Sequence, residues 1–181
     1  MTRKIILITG GQRSGKSMYA EKLALALSPR PVYIATAHIW DEEFSERVKH
    51  HKERRGSQWE NFEEEKLLSR IDIDDKVAVI DCITLWCTNF FFNRGTDGRQ
   101  PSVDEALAEI EQEFDRFTDQ DATFIFVTNE IGSGEVSSNS VQRRFTDMQG
   151  WMNQYVAAHA DTVVLMVSGI PVTIKGEALN L

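Results

Sequence analysis

A glycine-rich run close to the start of the chain has the residue types and spacing of a phosphate-binding loop. Residues 10–17 read Gly-Gly-Gln-Arg-Ser-Gly-Lys-Ser and match the pattern G-x-x-x-x-G-K-S/T. The Lys16 ammonium is expected to reach the β- and γ-phosphates of a nucleotide, and the Ser17 hydroxyl is expected to help hold Mg²⁺. Candidate phosphate contacts in the rest of the run are Gly10, Gly11, Gln12, Arg13, Ser14 and Gly15. The run therefore predicts that the protein binds a nucleoside triphosphate.

The residues on both sides of this loop supply the context that the pattern requires. The apolar run 5–9 precedes it and predicts a strand, and the stretch 17–27 predicts a helix. Glycine backbone can wrap closely around phosphates, and the start of a helix carries a partial positive charge. A strand-to-helix turn without a ligand is the alternative, but turn chemistry does not require Lys followed by Ser after the last glycine.

The carboxylate of Asp81 is a second candidate, because it directly follows the apolar run 77–80. In proteins with a phosphate loop, an acid at the end of a neighbouring strand lies near Mg²⁺. The alternative is that Asp81 caps a helix that begins near Thr84. The sequence therefore predicts either a metal ligand or a helix cap at this position.

A polar triplet follows the apolar run 124–127. Thr128, Asn129 and Glu130 could line the same pocket or could form an ordinary turn. A GTPase would show the sequence N-K-x-D at about this place, and the chain does not.

A cluster of basic residues in an otherwise acidic chain is the third candidate. Residues 41–55 predict a helix on which Arg47, His51 and Arg55 recur at a spacing of four and share one face. Two arginines beside one imidazole oppose its protonation, and neutral histidine is the nucleophilic form. The same guanidinium groups could bind phosphates. Close beside this face lie Lys52 and Arg54.

Two other interpretations of this cluster exist. A solvated charged face is common on helices and needs no ligand. A metal site is disfavoured, because neighbours such as His50 and His51 point about 100° apart on a helix. Spacing alone does not decide between a solvated face and a nucleophile.

The elements that would position these groups alternate along the chain. Apolar runs predict strands at 4–9, 32–35, 77–81, 123–128, 162–167 and 172–175. Ser102 and Glu105 form a capping box that predicts a helix start. Helical stripes predicted to pack in the core are Leu107, Ile110, Phe114 and Phe117, and Val141, Phe145, Met148, Met152 and Tyr155. We predict one P-loop NTPase-like α/β domain over 1–181, in three layers, with a mostly parallel sheet covered by helices on both faces.

Bulk composition restricts the partners. The chain has 181 residues, a net charge of −8 and an apolar fraction of 41%, which indicates a soluble protein rather than a nucleic-acid or membrane-surface binder. No apolar run is long enough to cross a membrane. Cys82 and Cys87 are expected to be buried free thiols in a reducing compartment. We therefore expect a cytoplasmic protein, without membrane insertion or nucleic-acid binding.

Short motifs recur in a recognisable order along nearly the whole chain. The first blocks are the loop 10–17, Tyr33-Ile34-Ala35-Thr36, Arg47…His51…Arg55, and Trp59 with Glu63. The later blocks are 81–86 (Asp-Cys-Ile-Thr-Leu-Trp), 127–132 (Val-Thr-Asn-Glu-Ile-Gly), Phe145 with Asp147, Gly150, Asn153 and Gln154, and 167–171 (Val-Ser-Gly-Ile-Pro) with Lys175. This order resembles the family of bifunctional adenosylcobinamide kinases and adenosylcobinamide-phosphate guanylyltransferases of cobalamin biosynthesis.

The resemblance implies two reactions on one scaffold. A nucleoside triphosphate, ATP or GTP, phosphorylates the aminopropanol arm of adenosylcobinamide, and GMP is then transferred from GTP onto that phosphate. GMP is first carried on a histidine, and His51 matches it by its spacing from Arg47 and Arg55, whereas His50 fits less well. The family also implies a corrinoid substrate, Mg²⁺ and a homo-oligomer such as a trimer. Further nucleotide contacts that it implies are Ala35, Thr36, Ala37, Lys52, Glu53, Arg54, Arg55, Glu63 and Asp81.

Two other functions remain open from the sequence. In a simple small-molecule kinase the histidine segment would be only a charged helix. A nucleotide-dependent switch that binds a partner is weaker, because the N-K-x-D block is absent.

Overall fold

The computed structural model describes residues 2–37, 55–93 and 99–179 of the chain. This part contains the strands β1 (Lys4–Gly10), β2 (Val32–Ala35), β3 (Glu60–Glu63), β4 (Val77–Asp81), β5 (Thr123–Val127), β6 (Thr162–Val167) and β7 (Ile170–Lys175). It also contains the helices α1 (Lys16–Leu27), α2 (Ile83–Phe91), α3 (Val103–Thr118) and α4 (Ser140–His159), and a 3₁₀ helix at Leu68–Arg70.

The described strands form one sheet in the order β3-β2-β4-β5-β1-β6-β7. Every neighbouring pair is parallel except β6 and β7, which are antiparallel. Strands β4, β5 and β1 lie in the middle and are buried at nearly every position, since both of their faces are covered. The predicted mostly parallel sheet is confirmed. Its carboxyl edge gathers the residues that follow β1, β2, β4 and β5.

Helices cover both faces of the sheet, so the predicted three-layer arrangement is confirmed. Helix α1 packs on one face, where Leu23 belongs to the same buried cluster as Ile8. Helices α2, α3 and α4 cover the other face with large side chains such as Trp86, Phe114 and Met152. This placement leaves the carboxyl edge of the sheet open between the layers.

The predicted start of helix α3 is confirmed in detail. The Ser102 hydroxyl accepts a hydrogen bond from the Glu105 backbone N–H at 3.2 Å, and the Glu105 carboxylate accepts one from the Ser102 N–H at 2.7 Å. Downstream, Ile110, Phe114 and Phe117 are fully buried, as their helical spacing predicts. The capping box therefore sets where the apolar stripe begins.

The predicted stripe of helix α4 is only partly correct. Met148 and Met152 are fully buried, but Val141 is 36% exposed. Val141 lies in the first turn of α4, and the helix joins the core only from Phe145 onward. The first turn of α4 therefore lies outside the buried cluster into which the stripe was predicted to pack.

Two strands differ from the prediction. Strand β3 has the sequence Glu-Asn-Phe-Glu, which lacks an apolar run, and it pairs with β2 at the edge of the sheet. Strand β7 begins at Ile170 rather than 172, because the turn after β6 needs only Ser168 and Gly169. Both of these residues have positive φ, 52° and 83° respectively, as a tight hairpin turn requires.

Cys82 and Cys87 are buried free thiols, as predicted. Burial raises the pKa of the Cys82 thiol to about 12 and raises that of Cys87 further, so both stay protonated. Within the described ranges, no helix is both long and apolar enough to span a bilayer. The helix predicted at 41–55 lies outside the described residues except for Arg55, which sits in a bend.

Candidate nucleotide-binding site

The glycine-rich run forms a tight loop between the end of β1 and the start of α1. Gly10 has a φ of 149° and Gly15 a φ of 96°, values that L side chains rarely adopt. A Cβ at Gly10 would lie 2.6 Å from the Met166 carbonyl oxygen and 2.8 Å from the Ser14 hydroxyl. Glycine at position 10 is therefore needed for conformation and for close packing against β6.

Lys16 is the first residue of α1, and its side chain folds back over the loop. Its ammonium group donates a hydrogen bond to the Gly11 carbonyl oxygen at 2.6 Å, and the residue is 7% exposed. Burial lowers the pKa of Lys16, although the nearby Asp81 carboxylate acts in the opposite direction. The ammonium is held over the loop, where a phosphate group could replace the carbonyl as its partner.

Neighbouring segments hold the loop from outside. The Gly169 N–H donates to the Ser14 carbonyl oxygen at 2.9 Å, and the Glu130 N–H donates to the Gly10 carbonyl oxygen at 3.0 Å. The Ser14 carbonyl group thus accepts a hydrogen bond from the β6–β7 turn, and the Gly10 carbonyl group accepts one from the segment after β5. This fixation keeps the loop in shape without a ligand.

Asp81 ends β4, the second strand from the loop. In the sheet it pairs with Ala35 of β2, and Ala35 pairs in turn with Glu63 of β3. The Asp81 carboxylate accepts a hydrogen bond from the Tyr33 hydroxyl at 2.8 Å. Helix α2 is capped by Cys82 without any side-chain hydrogen bond, so Asp81 is not its cap. Three residues predicted to contact the nucleotide therefore lie side by side at the carboxyl edge.

Arg55 is the described end of the basic series Arg47, His51 and Arg55, and it lies beside the three residues at the carboxyl edge. Its guanidinium carbon is 3.5 Å from the centroid of the Tyr33 ring. Its Nε donates to the Asn61 side-chain oxygen at 3.0 Å, and its Nη1 is 4.0 Å from the Glu21 carboxylate. The Arg55 side chain is 3% exposed. The Arg55 side chain is therefore buried against other residues rather than solvated.

Thr36 and Ala37 follow β2 on the same edge. The Thr36 hydroxyl accepts from the Cys82 N–H at 2.9 Å and donates to the Cys82 carbonyl oxygen at 2.8 Å. The Thr36 carbonyl accepts from the Asn89 amide at 2.7 Å, and Thr36 is fully buried. These bonds tie β2 to the start of α2, and the expected nucleotide contact of Thr36 stays a prediction.

The polar triplet after β5 belongs to a buried hydrogen-bond network. The Gln149 amide of α4 donates to the Asn129 carbonyl oxygen at 2.5 Å and to the Thr128 hydroxyl at 3.1 Å. The Asn129 N–H donates to the Thr84 hydroxyl at 3.0 Å. Both Gln149 and Thr128 are almost fully buried. The network fixes the segment whose next residue, Glu130, bonds to the phosphate loop.

A depression of about 400 Å³ lies beside the loop, between it and the end of β6. Glu130 and Ser133 form part of its wall, so the triplet segment both supports the loop and reaches this surface. Lys16 and Asp81 do not line this depression. The remaining lining residues are Gly11, Gln12, Arg13, Ser14, Leu165, Met166, Val167 and Ser168.

The donor set at the loop suits Mg²⁺. Ser17 is half-buried at the start of α1, and Asp81 is half-buried with one carboxylate oxygen held by Tyr33. Both supply oxygen, which Mg²⁺ prefers, and Mg²⁺ takes most other ligands from phosphates and water. Over residues 2–37, 55–93 and 99–179, no three His, Cys, Asp or Glu residues cluster as an all-protein metal site. Ser17 and Asp81 would therefore suit a Mg²⁺ ion that takes its remaining ligands from phosphates and water.

Five residues of the predicted site lie outside the described residues: Arg47, His51, Lys52, Glu53 and Arg54. Tyr33 and Gln149 contact residues of the candidate site, but the sequence patterns assigned no role to either. A signal existed for Gln149, because it stands beside Met148 in a helix face that is otherwise core. Tyr33 was named only as part of the motif block 33–36, because its local pattern is that of any strand residue.

The fold and the loop together define a P-loop nucleotide-binding protein. The family described as cobinamide kinase / cobinamide phosphate guanyltransferase matches residues 6–174. The chain belongs to this family.

Curated relatives agree over almost their whole length. The bifunctional adenosylcobalamin biosynthesis protein CobU of Salmonella typhimurium is 39% identical over 181 residues, covering 94% of this chain and 99% of that protein. The protein of the same description from Escherichia coli is 38% identical, with 94% and 99% coverage. The bifunctional adenosylcobalamin biosynthesis protein CobP of Pseudomonas aeruginosa is 35% identical, with 96% and 98% coverage.

A solved structure is similar in fold alone. An ATPase from the type III secretion system of pathogenic bacteria has a TM-score of 0.50 and 10% identity, covering 91% of this chain and 51% of that one.

Proposed function

We propose that this protein performs two successive transfers on one nucleotide-binding domain spanning residues 1–181. First, the terminal phosphoryl group of ATP or GTP passes to the hydroxyl of the aminopropanol arm of adenosylcobinamide. Second, GMP passes from GTP to the new phosphate, giving adenosylcobinamide-GDP and pyrophosphate. Family membership over residues 6–174 supports both reactions.

In the kinase step the loop holds the triphosphate. The backbone N–H groups of residues 10–17 and the start of α1 attract its phosphates, and the Lys16 ammonium exchanges the Gly11 carbonyl for phosphate oxygens. The acceptor hydroxyl attacks the γ-phosphorus and releases its proton to water. The bond to the bridging oxygen breaks, and the nucleoside diphosphate leaves.

In the transferase step the neutral imidazole of His51 attacks the α-phosphorus of GTP. The bond to the bridging oxygen breaks, and pyrophosphate leaves. A phosphate oxygen of adenosylcobinamide phosphate then attacks the same phosphorus, the phosphorus–nitrogen bond breaks, and His51 is restored. Arg47 and Arg55 oppose protonation of His51 and offset the negative charge that develops on phosphate oxygens.

The observation that carries the role of His51 is the position of Arg55. The Arg55 guanidinium stacks on Tyr33, whose hydroxyl bonds to Asp81 at the edge next to the phosphate loop. In the sequence His51 is four residues from Arg55, a length of chain that extends to at most about 14 Å. This tether supports a nucleophile close to the α-phosphate of a nucleotide held by the loop.

Ser17 and Asp81 are the proposed Mg²⁺ ligands. When bound, the ion neutralises phosphate charge and fixes the orientation of the triphosphate. Predicted contacts that also support nucleotide binding are Ala35, Thr36, Ala37, Lys52, Glu53, Arg54 and Glu63. A cytoplasmic location and a homo-oligomer such as a trimer are further parts of the proposal.

Labelled GTP tests the assignment of the nucleophile. The protein is incubated with Mg²⁺ and GTP labelled at either the α- or the γ-phosphate, and acid-labile label on the protein is measured. We expect label from the α-position only. His51→Ala should lose it, whereas the matched control His50→Ala should keep it.

Three results would count against parts of the proposal. Normal labelling of folded His51→Ala protein would refute His51 as the carrier. Loss of label in His50→Ala alone would transfer the role to His50. Corrinoid-dependent γ-phosphoryl transfer without any covalent label would instead favour a kinase that lacks the transferase step.

A further inference from the structure

The Tyr33 hydroxyl reaches from β2 to the carboxylate at the end of β4. Tyr33 is 4% exposed, and its hydroxyl donates to Oδ2 of Asp81 at 2.8 Å. Among the described residues, this hydroxyl is the one hydrogen-bond donor to the Asp81 side chain. One carboxylate oxygen is thereby fixed, and Oδ1 keeps its lone pairs for another ligand.

The ring of the same residue supports the arginine at the end of the basic series. The Arg55 guanidinium carbon lies 3.5 Å from the ring centroid, which is cation–π geometry. Trp59 packs against the same ring in a T-shaped arrangement at a centroid distance of 5.9 Å. The hydroxyl and the ring of Tyr33 thus contact two different candidate parts of the site.

We infer that Tyr33 is a positioning residue that orients Asp81 through its hydroxyl and Arg55 through its ring, so that one side chain aligns the candidate metal ligand with the described end of the basic series. This inference rests on the proposed function, because it takes Asp81 as the metal ligand and His51 as the nucleophile. It adds a residue that does not itself touch the reacting atoms.

A buried phenol is suited to this task. The Asp81 carboxylate can only accept, so the Tyr33 hydroxyl is the donor in this hydrogen bond. Hydrogen bonds to a charged acceptor are directional and strong, so Asp81 has little freedom to turn.

Tyr33→Phe separates the two contacts, since it removes the hydroxyl and keeps the ring. The readout is the Mg²⁺ concentration that half-saturates labelling of the protein by α-labelled GTP. We expect that concentration to rise about tenfold, the loss typical of one charge-assisted hydrogen bond, with a nearly unchanged rate at saturating Mg²⁺. Tyr19→Phe is the matched control, because Tyr19 is 8% exposed in the same core layer and should leave the Mg²⁺ response unaltered.

Tyr33→Leu tests the ring, because it also removes the support of Arg55. Labelling should then fall even at saturating Mg²⁺, and thermal unfolding shows whether the variant is folded. If Tyr33→Leu does not fold, Tyr33→Phe alone decides. A Tyr33→Phe variant that is less stable but has the wild-type Mg²⁺ response would overturn the inference and leave Tyr33 a structural residue.

A binding measurement distinguishes failure of this inference from failure of the proposed function. Mn²⁺ binding is followed by electron paramagnetic resonance in the presence of a non-hydrolysable GTP analogue. Weaker Mn²⁺ binding in Tyr33→Phe supports the Asp81 contact even if the wild-type protein forms no covalent GMP adduct. Unchanged Mn²⁺ binding refutes the contact's role, whether or not the wild-type protein is labelled.

Discussion

Lys16 combines a buried ammonium with a replaceable partner, the Gly11 carbonyl, and this combination makes phosphate binding sensitive to pH. Burial lowers the pKa of Lys16 in the free protein. A bound triphosphate raises that pKa again, because its negative charge favours the protonated form. Affinity for the nucleotide is therefore complete below the lowered pKa and falls as the pH rises through it.

We predict that a titration of fluorescent GTP analogue shows this decline at a pH below the ordinary lysine value of 10.5. Lys16→Met should bind the analogue weakly and lose the decline. Lys22→Met, an exposed lysine on the same helix, should keep both affinity and pH dependence. A decline that persists in Lys16→Met would assign the titration to another group.

Sequence alone predicts the residues whose chemistry is local. Lys16 and Ser17 follow from one contiguous motif, and Asp81 follows from its place directly after an apolar run. The contact of Tyr33 with Asp81 joins positions 48 residues apart, and that of Gln149 with Asn129 joins positions 20 apart. Such contacts depend on strand order and helix rotation, which a single sequence does not specify.

At the scale of elements, the phosphate loop depends on how closely β1 approaches β6. A Cβ at Gly10 would meet backbone at the Met166 carbonyl oxygen, at 2.6 Å, and the φ of 149° there is unfavourable for any L side chain. Main-chain atoms of a strand that is paired on both sides, as β6 is, cannot move aside cheaply. The loop would therefore have to shift.

We predict that Gly10→Ala weakens binding of a triphosphate about 10- to 100-fold, equal to the roughly 1–3 kcal/mol of a strained backbone position. Isothermal titration calorimetry measures the loss. Gly150→Ala is the matched control, since nothing lies within 4 Å of a Cβ there. It should bind normally and, as a change inside helix α4, stabilise the protein by about 0.5–1 kcal/mol. Equal binding by the two variants would contradict this account of the loop.

The bounds of the strands were predicted correctly where the pattern of burial is simple. Strands β2, β4 and β6 have the bounds expected from their apolar runs, since both of their faces are covered. Strand β3 was missed because Asn61 and Glu63 are exposed at the sheet edge, where hydrogen bonds to β2 define the strand without a hydrophobic run. Edge pairing is a property of the sheet and not of the segment.

At the scale of the whole molecule, the two outer layers share one sheet. Phe114 is fully buried in the layer of α2, α3 and α4, and Leu23 is 2% exposed in the layer of α1. The two layers pack on opposite faces of the same central strands. Loss of packing in either layer should therefore destabilise the whole sheet.

We predict that Phe114→Ala lowers the free energy of unfolding by about 3–5 kcal/mol and Leu23→Ala by about 2–5 kcal/mol. Urea unfolding followed by circular dichroism and by tryptophan fluorescence should give coincident midpoints for each variant. Midpoints that separate in one variant would show that its layer unfolds independently.

The sheet order also has a consequence for synthesis of the chain. Strand β1 pairs with β5 and β6, so Lys4 finds its neighbour only at Thr123. During translation the first strand, with its phosphate loop, therefore has no partner until more than half of the chain has been made. Its sequence, Lys-Ile-Ile-Leu-Ile-Thr-Gly, is apolar and extended, which is the kind of segment that aggregates when unpaired. Strand β1, which leads into the phosphate loop, therefore stays unpaired while the chain up to β5 is made. We expect chaperones that act on the nascent chain to bind this strand.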